Sequence, residues 1–187
     1  MRSRFTSPMI LTLFSMLILC GCSSGSARVD GGTGSLQIHL TDAPIDMSDV
    51  QSVNVTLTGV VVFPRDDNDP MALVSDGRPI TLMSHPATFD LLTLTGGATA
   101  LLASGMVPSG DYSRIRLEIS DATLVYDDGG SVALKIESQK VDIPIGFHVN
   151  TGGQTGLILD FDAAASVQVN ETSSDTLILR PVVTPVR

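Results

Sequence analysis

The chain has no tryptophan, few aromatic residues and only two cysteines, and each shortage excludes a class of function. Aromatics make up 4% of its 187 residues, so the usual stacking platform for sugars is poorly supplied. Cys20 and Cys22 lie near the N-terminus, which leaves the remaining chain without a disulfide, a thiolate metal site or a cysteine nucleophile. With 11 basic against 20 acidic side chains, a formal net charge of −9, the surface repels nucleic acid.

An apolar stretch at the N-terminus is too short to span a membrane. It runs from Met9 to Leu19, behind Arg2 and Arg4, whereas a transmembrane helix needs about 20 residues. A basic start followed by roughly 7 to 15 apolar residues is typical of a secretory signal peptide. We therefore expect residues 1–21 to be removed from the mature protein.

The stretch ends at Leu19-Cys20-Gly21-Cys22, which resembles the bacterial lipobox. In that motif a leucine stands three places before the modified cysteine and a small residue stands just before it. The match predicts cleavage between Gly21 and Cys22 and a lipid anchor on Cys22; Cys20 fits worse, because bulky Leu19 would precede it. An ordinary signal peptide, with Cys22 a free thiol, is the alternative. By the sorting rule for such lipoproteins, Ser23 after the cysteine indicates the outer membrane of the bacterial cell envelope.

The mature chain divides into a short tether and one domain. Residues 22–34 are small and flexible, with too little apolar surface to pack, and therefore predict a tether. From residue 35 to 187, apolar and polar side chains alternate in short runs separated by turn signals, which is typical of half-buried strands. Roughly eight or nine such strands predict an all-β fold, an antiparallel β-sandwich.

The alternation also predicts which side chains form the core, and one segment departs from it. The expected core residues are Leu36, Ile38, Leu40, Val55, Leu57, Ile115, Leu117, Leu157, Leu159, Phe161, Leu177 and Leu179.

Between Phe89 and Ala103 the apolar spacing predicts one short helical segment instead, interrupted at Gly96-Gly97 and capped by Gly105.

Several motifs follow one another in an order that resembles the bacterial lipoprotein family known as domain of unknown function 4382. They are Leu40-Thr41-Asp42-Ala43-Pro44, Phe89-Asp90-Leu91-Leu92, Gly110-Asp111-Tyr112-Ser113-Arg114-Ile115-Arg116-Leu117, Leu159-Asp160-Phe161-Asp162-Ala163 and Leu179-Arg180-Pro181. The resemblance covers about residues 34–185. It implies a secreted or outer-membrane β-sandwich and brings no established activity. The acidic residues 66–69 depart from it.

Catalytic machinery is not recognisable in the sequence. Of the three histidines, His39 and His148 fall on polar phases of strands, and His85 lies in a loop. The chain has no G-x-S-x-G elbow, H-E-x-x-H pair or P-loop. We therefore expect a protein that is not an enzyme and needs no cofactor, apart from the calcium considered below.

Two arginines on one strand face are a candidate anion site. Arg114 and Arg116 are two positions apart, and an arginine pair recognises a carboxylate or sulfate through bidentate hydrogen bonds. The alternative is that both are solvated or paired with Glu118 and neighbouring acids.

Two aspartates on another strand are a candidate calcium site. Asp160 and Asp162 point to one face about 7 Å apart, and calcium takes 6 to 8 oxygen ligands. Asp42, Asp46 or backbone carbonyls of the turn at residues 41–44 would have to complete the shell. The alternative assigns Asp42 to its own turn and Asp160 and Asp162 to ion pairs with arginines.

The leading hypothesis is an envelope-anchored, non-enzymatic lipoprotein that displays an interaction, adhesion or assembly module. Its partners would be the membrane, through the lipid, and an envelope protein or surface ligand. A periplasmic module that binds a small ligand or calcium is the first alternative, and an apolar groove would favour it. An accessory domain of a hydrolase system is the second; a cleft holding His39 or His148 beside a carboxylate would favour that.

Overall fold

The structure, a computed structural model, describes residues 32–42, 47–65, 79–169 and 176–186. The predicted signal peptide, Cys22 and the tether up to residue 31 lie outside the described residues, as do Asp46 and the acidic residues 66–69. Within the described ranges, no helix has the length and apolar character needed to cross a membrane.

In these ranges the chain forms thirteen strands and two short helical segments. The strands are β1 (Thr33–Thr41), β2 (Val50–Pro64), β3 (Ile80–Met83), β4 (Ala87–Asp90), β5 (Ala100–Pro108), β6 (Gly110–Tyr126), β7 (Ser131–Ala133), β8 (Lys135–Ile136), β9 (Lys140–Val149), β10 (Gln154–Phe161), β11 (Val167–Val169), β12 (Leu177–Leu179) and β13 (Val183–Val186). A 3-10 helix covers Leu91–Leu94, and α1 covers Ala163–Ser166. The predicted all-β sandwich is confirmed, with thirteen strands in place of the expected eight or nine.

Two main sheets form the layers of the sandwich. Sheet A has the strand order β13-β10-β1-β5. Sheet B is built on the long antiparallel pair β2 and β6; β3 and β4 pair with β2, and β7 and β9 pair with β6. A small third sheet has the order β11-β12-β8.

The core lies between the sheets and follows the predicted alternation. Leu36, Ile38 and Leu40 of β1 are completely buried, as are Ile115 and Leu117 of β6. All belong to one hydrophobic cluster. Of the predicted core residues, only two are partly buried, and both still pack against that cluster: Leu157 and Leu177.

One pairing in the centre of sheet A is parallel. β1 and β10 run in the same direction from the pair Ser35–Gln154 to the pair Thr41–Asp160, and β8 and β12 are also parallel. The other described pairings are antiparallel, as predicted. Alternation reports which face a side chain occupies but not the direction of the neighbouring strand, so the sequence did not reveal the parallel pair.

The short helical segment predicted between Phe89 and Ala103 is confirmed at Leu91–Leu94, but it ends earlier than expected. Only Leu91–Leu94 are helical, as one 3-10 turn whose N-cap Asp90 accepts a hydrogen bond from Leu92 N. Gly96 and Gly97 then adopt positive φ, and the chain continues as strand β5. A bulge in β5 turns both Leu102 and Ala103 inward, and these adjacent buried residues imitate the spacing of a helix.

Candidate functional site

Arg114 and Arg116 share the outer face of sheet B, as predicted, and neighbouring strands place their partners. Ile115, between them on β6, points into the core. The pairing of β2 with β6 sets Phe63 beside Arg114, and the pairing of β6 with β9 sets Asp142 beside Arg116. The two guanidinium groups therefore lie between an aromatic ring and a carboxylate.

Asp142 is the acid that binds both arginines. Arg116 Nε and Nη2 donate to Asp142 Oδ1 and Oδ2 at 2.8 and 2.9 Å, and Arg114 Nη1 lies 3.6 Å from Oδ2. The hydrogen bonds from Arg116 hold the pKa of Asp142 below its ordinary value and raise the pKa of Arg116. Glu118, the partner considered from sequence, instead lies 3.6 Å from Lys140. An external anion at this pair would have to compete with Asp142.

Phe63 provides an aromatic ring that both guanidinium groups contact. Its side chain is only 5% exposed although it is not part of the core cluster. The guanidinium carbon of Arg114 lies 3.9 Å from the ring centroid, and that of Arg116 lies 5.2 Å from it. Both distances fit cation–π contacts, so the arginines cover an aromatic ring on the outer face of sheet B.

The three acids of the predicted cation site lie near the ends of β1 and β10. Asp160 of β10 pairs with Thr41, the last residue of β1, and Asp42 follows Thr41. Asp42 Oδ1 accepts a hydrogen bond from Ala163 N at 3.0 Å, and Asp162 Oδ1 accepts one from Ala165 N at 2.8 Å. Asp42 and Asp162 thus cap the first turn of α1.

Across residues 32–42, 47–65, 79–169 and 176–186, no group of three or more His, Cys, Asp or Glu side chains is arranged to hold a metal ion. The calcium site at Asp42, Asp160 and Asp162 stays a prediction, and a bound cation would have to share Asp42 and Asp162 with the backbone of α1.

A histidine–aspartate pair that the sequence did not reveal lies on the surface. The register of β6 and β9 sets Asp111 opposite His148, and His148 Nδ1 lies 2.8 Å from Asp111 Oδ1. Both side chains are about half exposed. His39 lies on β1 in the outer face of sheet A, and His85 contacts Ser84 in a loop. The pair depends on the register between β6 and β9, which leaves no signal in the sequence.

An apolar groove lies where β9 of sheet B approaches β10 and β13 of sheet A. It has a volume of about 290 Å³ and is lined by Pro144, Ile145, Gly146, Leu157, Pro185 and Val186. Neither Asp111 nor His148 lines it. The sequence had indicated Leu157 as core; its partial exposure in this groove accounts for the difference.

An exposed apolar row crosses the outer face of sheet A. Leu101 of β5 lies beside His39 of β1, His39 beside Ile158 of β10, and Ile158 beside Val186 of β13. The three apolar members are 51%, 38% and 49% exposed, respectively. We call these four residues the apolar row. The outer face of sheet B, by contrast, presents the ion pairs of Asp142 and Glu118.

Comparison with known proteins identifies one matching family. Residues 33–181 match the family described as Domain of unknown function (DUF4382). The match begins with β1 and ends just after β12, so it includes both helix-capping acids and the two arginines. No curated protein and no solved structure matches the chain.

Proposed function

We propose that this chain, which belongs to the family of domain of unknown function DUF4382, is a non-enzymatic lipoprotein of the bacterial cell envelope. We assign its lipid anchor to the outer membrane. Its β-sandwich serves as an interaction, adhesion or assembly module. The lipid on Cys22 holds the protein at the membrane, and residues 22–34 separate the domain from the lipid headgroups.

The apolar row is the observation that supports a role in binding a partner. Exposed apolar side chains that scatter singly are ordinary, whereas clustered ones mark contact sites. In this row Ile158 and Val186 are direct neighbours, and Leu101 lies beyond His39. Leu101, Ile158 and Val186 lie on three strands of one rigid sheet and share one line of register. A partner that covers them removes apolar surface from water, which stabilises the complex by roughly 25 cal/mol per Å² before the costs of association.

The lipid anchor is tested by comparing Cys22→Ser with Cys20→Ser in the native cell. Cys22→Ser removes the thiol that would carry the lipid, so we expect a mature protein without acyl mass that leaves the membrane fraction. Cys20→Ser is the matched control, and it should be processed and anchored as the wild type is. Unchanged mass, processing and fractionation of Cys22→Ser would exclude the lipoprotein assignment.

The interaction module is tested by cross-linking the anchored, full-length chain in its native cell. Ile158→Lys places a charge in the middle of the apolar row, and Ser120→Lys places the same charge at an exposed position of β6 in sheet B. We expect the cross-linked envelope partners of the wild type to be lost from Ile158→Lys and kept by Ser120→Lys. Identical cross-linked products from both variants would exclude the apolar row as the contact site.

The apolar groove favours a second candidate, a module that binds a small apolar ligand. Ligand sites are concave and mostly apolar, and this groove has walls from both sheets. Gly146→Leu adds a side chain at a residue that lines the groove, where Arg65 Nη2 lies 3.6 Å from the position of the new Cβ. Gly156→Leu adds the same side chain on β10 where nothing lies within 4 Å. If the groove binds ligands, the fluorescence of the apolar probe N-phenyl-1-naphthylamine rises with wild type and Gly156→Leu, and not with Gly146→Leu. Equal fluorescence with all three proteins would reject the groove as the site.

A further inference from the structure

Strand β5 is an open edge of sheet A with a bulge at Leu102 and a proline as its last residue, Pro108, but with no charge along it. Within the described part of the chain it pairs with β1 and with no other strand. It is nine residues long, ALLASGMVP, and carries no charged side chain. Natural edges are shortened, or carry charges or proline, because an unpaired row of N–H and C=O groups invites another strand. The opposite edge, β13, shows such protection: it has four residues, and one is Pro185.

The exposed side chains of β5 are symmetric about Ser104. In the register with β1, Leu101 lies at His39, Ser104 at Gln37 and Met106 at Ser35. Leu101 and Met106 are therefore each two β1 positions from Ser104, because the bulged residue Leu102 takes no position of its own. All three point to the outer face of sheet A, and Met106 is 62% exposed.

This symmetry makes β5 complementary to itself. An antiparallel pair of identical strands is related by a two-fold axis, so each residue before the axis meets its counterpart after it. With the axis at Ser104, Leu101 of each copy lies opposite Met106 of the other, and the two Ser104 side chains face one another. Both exposed apolar residues of the edge then gain apolar neighbours across the new ladder.

The β5 edge carries no charge that would repel a second copy. Two copies of a chain with a net charge of −9 repel one another over most of their surfaces. β5 brings no charged side chain into the contact, so its own edge adds no like-charge pair to the approach of a second copy.

We infer that the chain forms a two-fold homodimer in which the β5 strands of two copies pair antiparallel about Ser104, which joins their A sheets into one eight-stranded sheet. This dimer goes beyond the proposed function and requires neither the lipid anchor nor an envelope partner.

The first test places a cysteine on the proposed axis of the full-length chain in its native membrane. Directly opposed residues of an antiparallel pair have Cα atoms about 4.5–5.5 Å apart, within the range of a disulfide. Under mild oxidation we expect Ser104→Cys to form a linked species of twice the mass. Thr184→Cys, exposed on β13 at the other edge of the same sheet, should not. Linkage of Ser104→Cys at no more than the level of Thr184→Cys overturns the proposal.

The second test uses charge at the same position and does not depend on disulfide chemistry. Ser104→Lys and Ser104→Glu each set like charges against themselves across the axis, so each alone is expected to sediment as a monomer. Their equimolar mixture should sediment as a dimer, because Lys then faces Glu. Thr184→Lys should behave as the wild type. A wild type that stays monomeric, or Ser104 variants that dimerise separately, contradicts the proposal.

Discussion

Asp42 Oδ1 accepts a hydrogen bond from Ala163 N at 3.0 Å across 121 positions of the chain. The contact joins the end of β1 to the helix that follows β10, and Asp42 is only 3% exposed. A carboxylate in such a place is costly to bury unless it is hydrogen-bonded. Its hydrogen bond therefore holds α1 against the end of the parallel strands β1 and β10.

Removing this carboxylate should destabilise the protein. We expect Asp42→Ala to lower the free energy of unfolding by about 1.5–3 kcal/mol, because a hydrogen bond to a charged group is lost and Ala163 N is left without that acceptor. Asp42→Asn keeps an acceptor oxygen and should lose less. Urea denaturation of the full-length chain measures both; equal stability of Asp42→Ala and wild type would contradict the capping role.

Leu117 tests the core between the two sheets. It is completely buried in β6 within the main hydrophobic cluster, so Leu117→Ala should cost about 2–5 kcal/mol of unfolding free energy. Met106→Ala truncates a largely exposed side chain of comparable size and is expected to cost far less in the monomer. Thermal unfolding followed by circular dichroism compares the two. Similar melting temperatures for both variants would be incompatible with the sandwich core.

The ion pair of Asp142 and Arg116 predicts a pH dependence with a definite sign. The pKa of Asp142 is lower in the folded protein because Arg116 donates hydrogen bonds to the carboxylate. Its stabilising effect is therefore complete above the unfolded pKa, near 3.9, and is lost as the pH falls through the folded pKa.

We expect Asp142→Asn to lower the unfolding free energy at pH 7 by up to about 1 kcal/mol, a modest effect because solvent reaches the pair. The difference from wild type should shrink as the pH drops below about 4. Asp121→Asn, on β6 with Arg116 but outside this ion pair, serves as the control. A difference that grows on acidification would reverse the predicted sign.

The calcium hypothesis predicts a shift in melting temperature. A cation that binds only the folded state raises stability by mass action, so millimolar calcium should raise the melting temperature over that in EDTA. Asp160→Asn should reduce this rise. If calcium leaves the melting temperature of both proteins unchanged, Asp42 and Asp162 act as helix caps alone.

Much of the fold could be predicted because burial on one face leaves a regular trace in the sequence. Leu36, Ile38 and Leu40 repeat every second residue, as a strand with one buried face requires. The two arginines were placed on one face by the same rule. Lipidation at Cys22 stays a prediction, since it lies outside the described residues.

What the sequence did not reveal depends on which strands are neighbours. The partner of Arg116 is Asp142 and not Glu118, and His148 meets Asp111, because β9 pairs with β6 in one particular register. The alternation of apolar and polar residues along a sequence does not show which residues of two strands lie opposite one another. The bulge at Leu102 places two adjacent residues on the buried face, as a helix would. This local irregularity is why the sequence pattern predicted a helical segment that extends to Ala103.

The position of β1 has a consequence for how the chain reaches this structure. β1 comes first among the described strands, yet it lies inside sheet A, between β5 and β10. Its parallel partner β10 emerges after all the described strands of sheet B. Contacts between such distant segments slow folding, because the entropy of closing a long loop is lost before the contacts form. Until β10 emerges, β5 is the one described strand that can pair with β1 in sheet A, so the centre of this sheet is completed late.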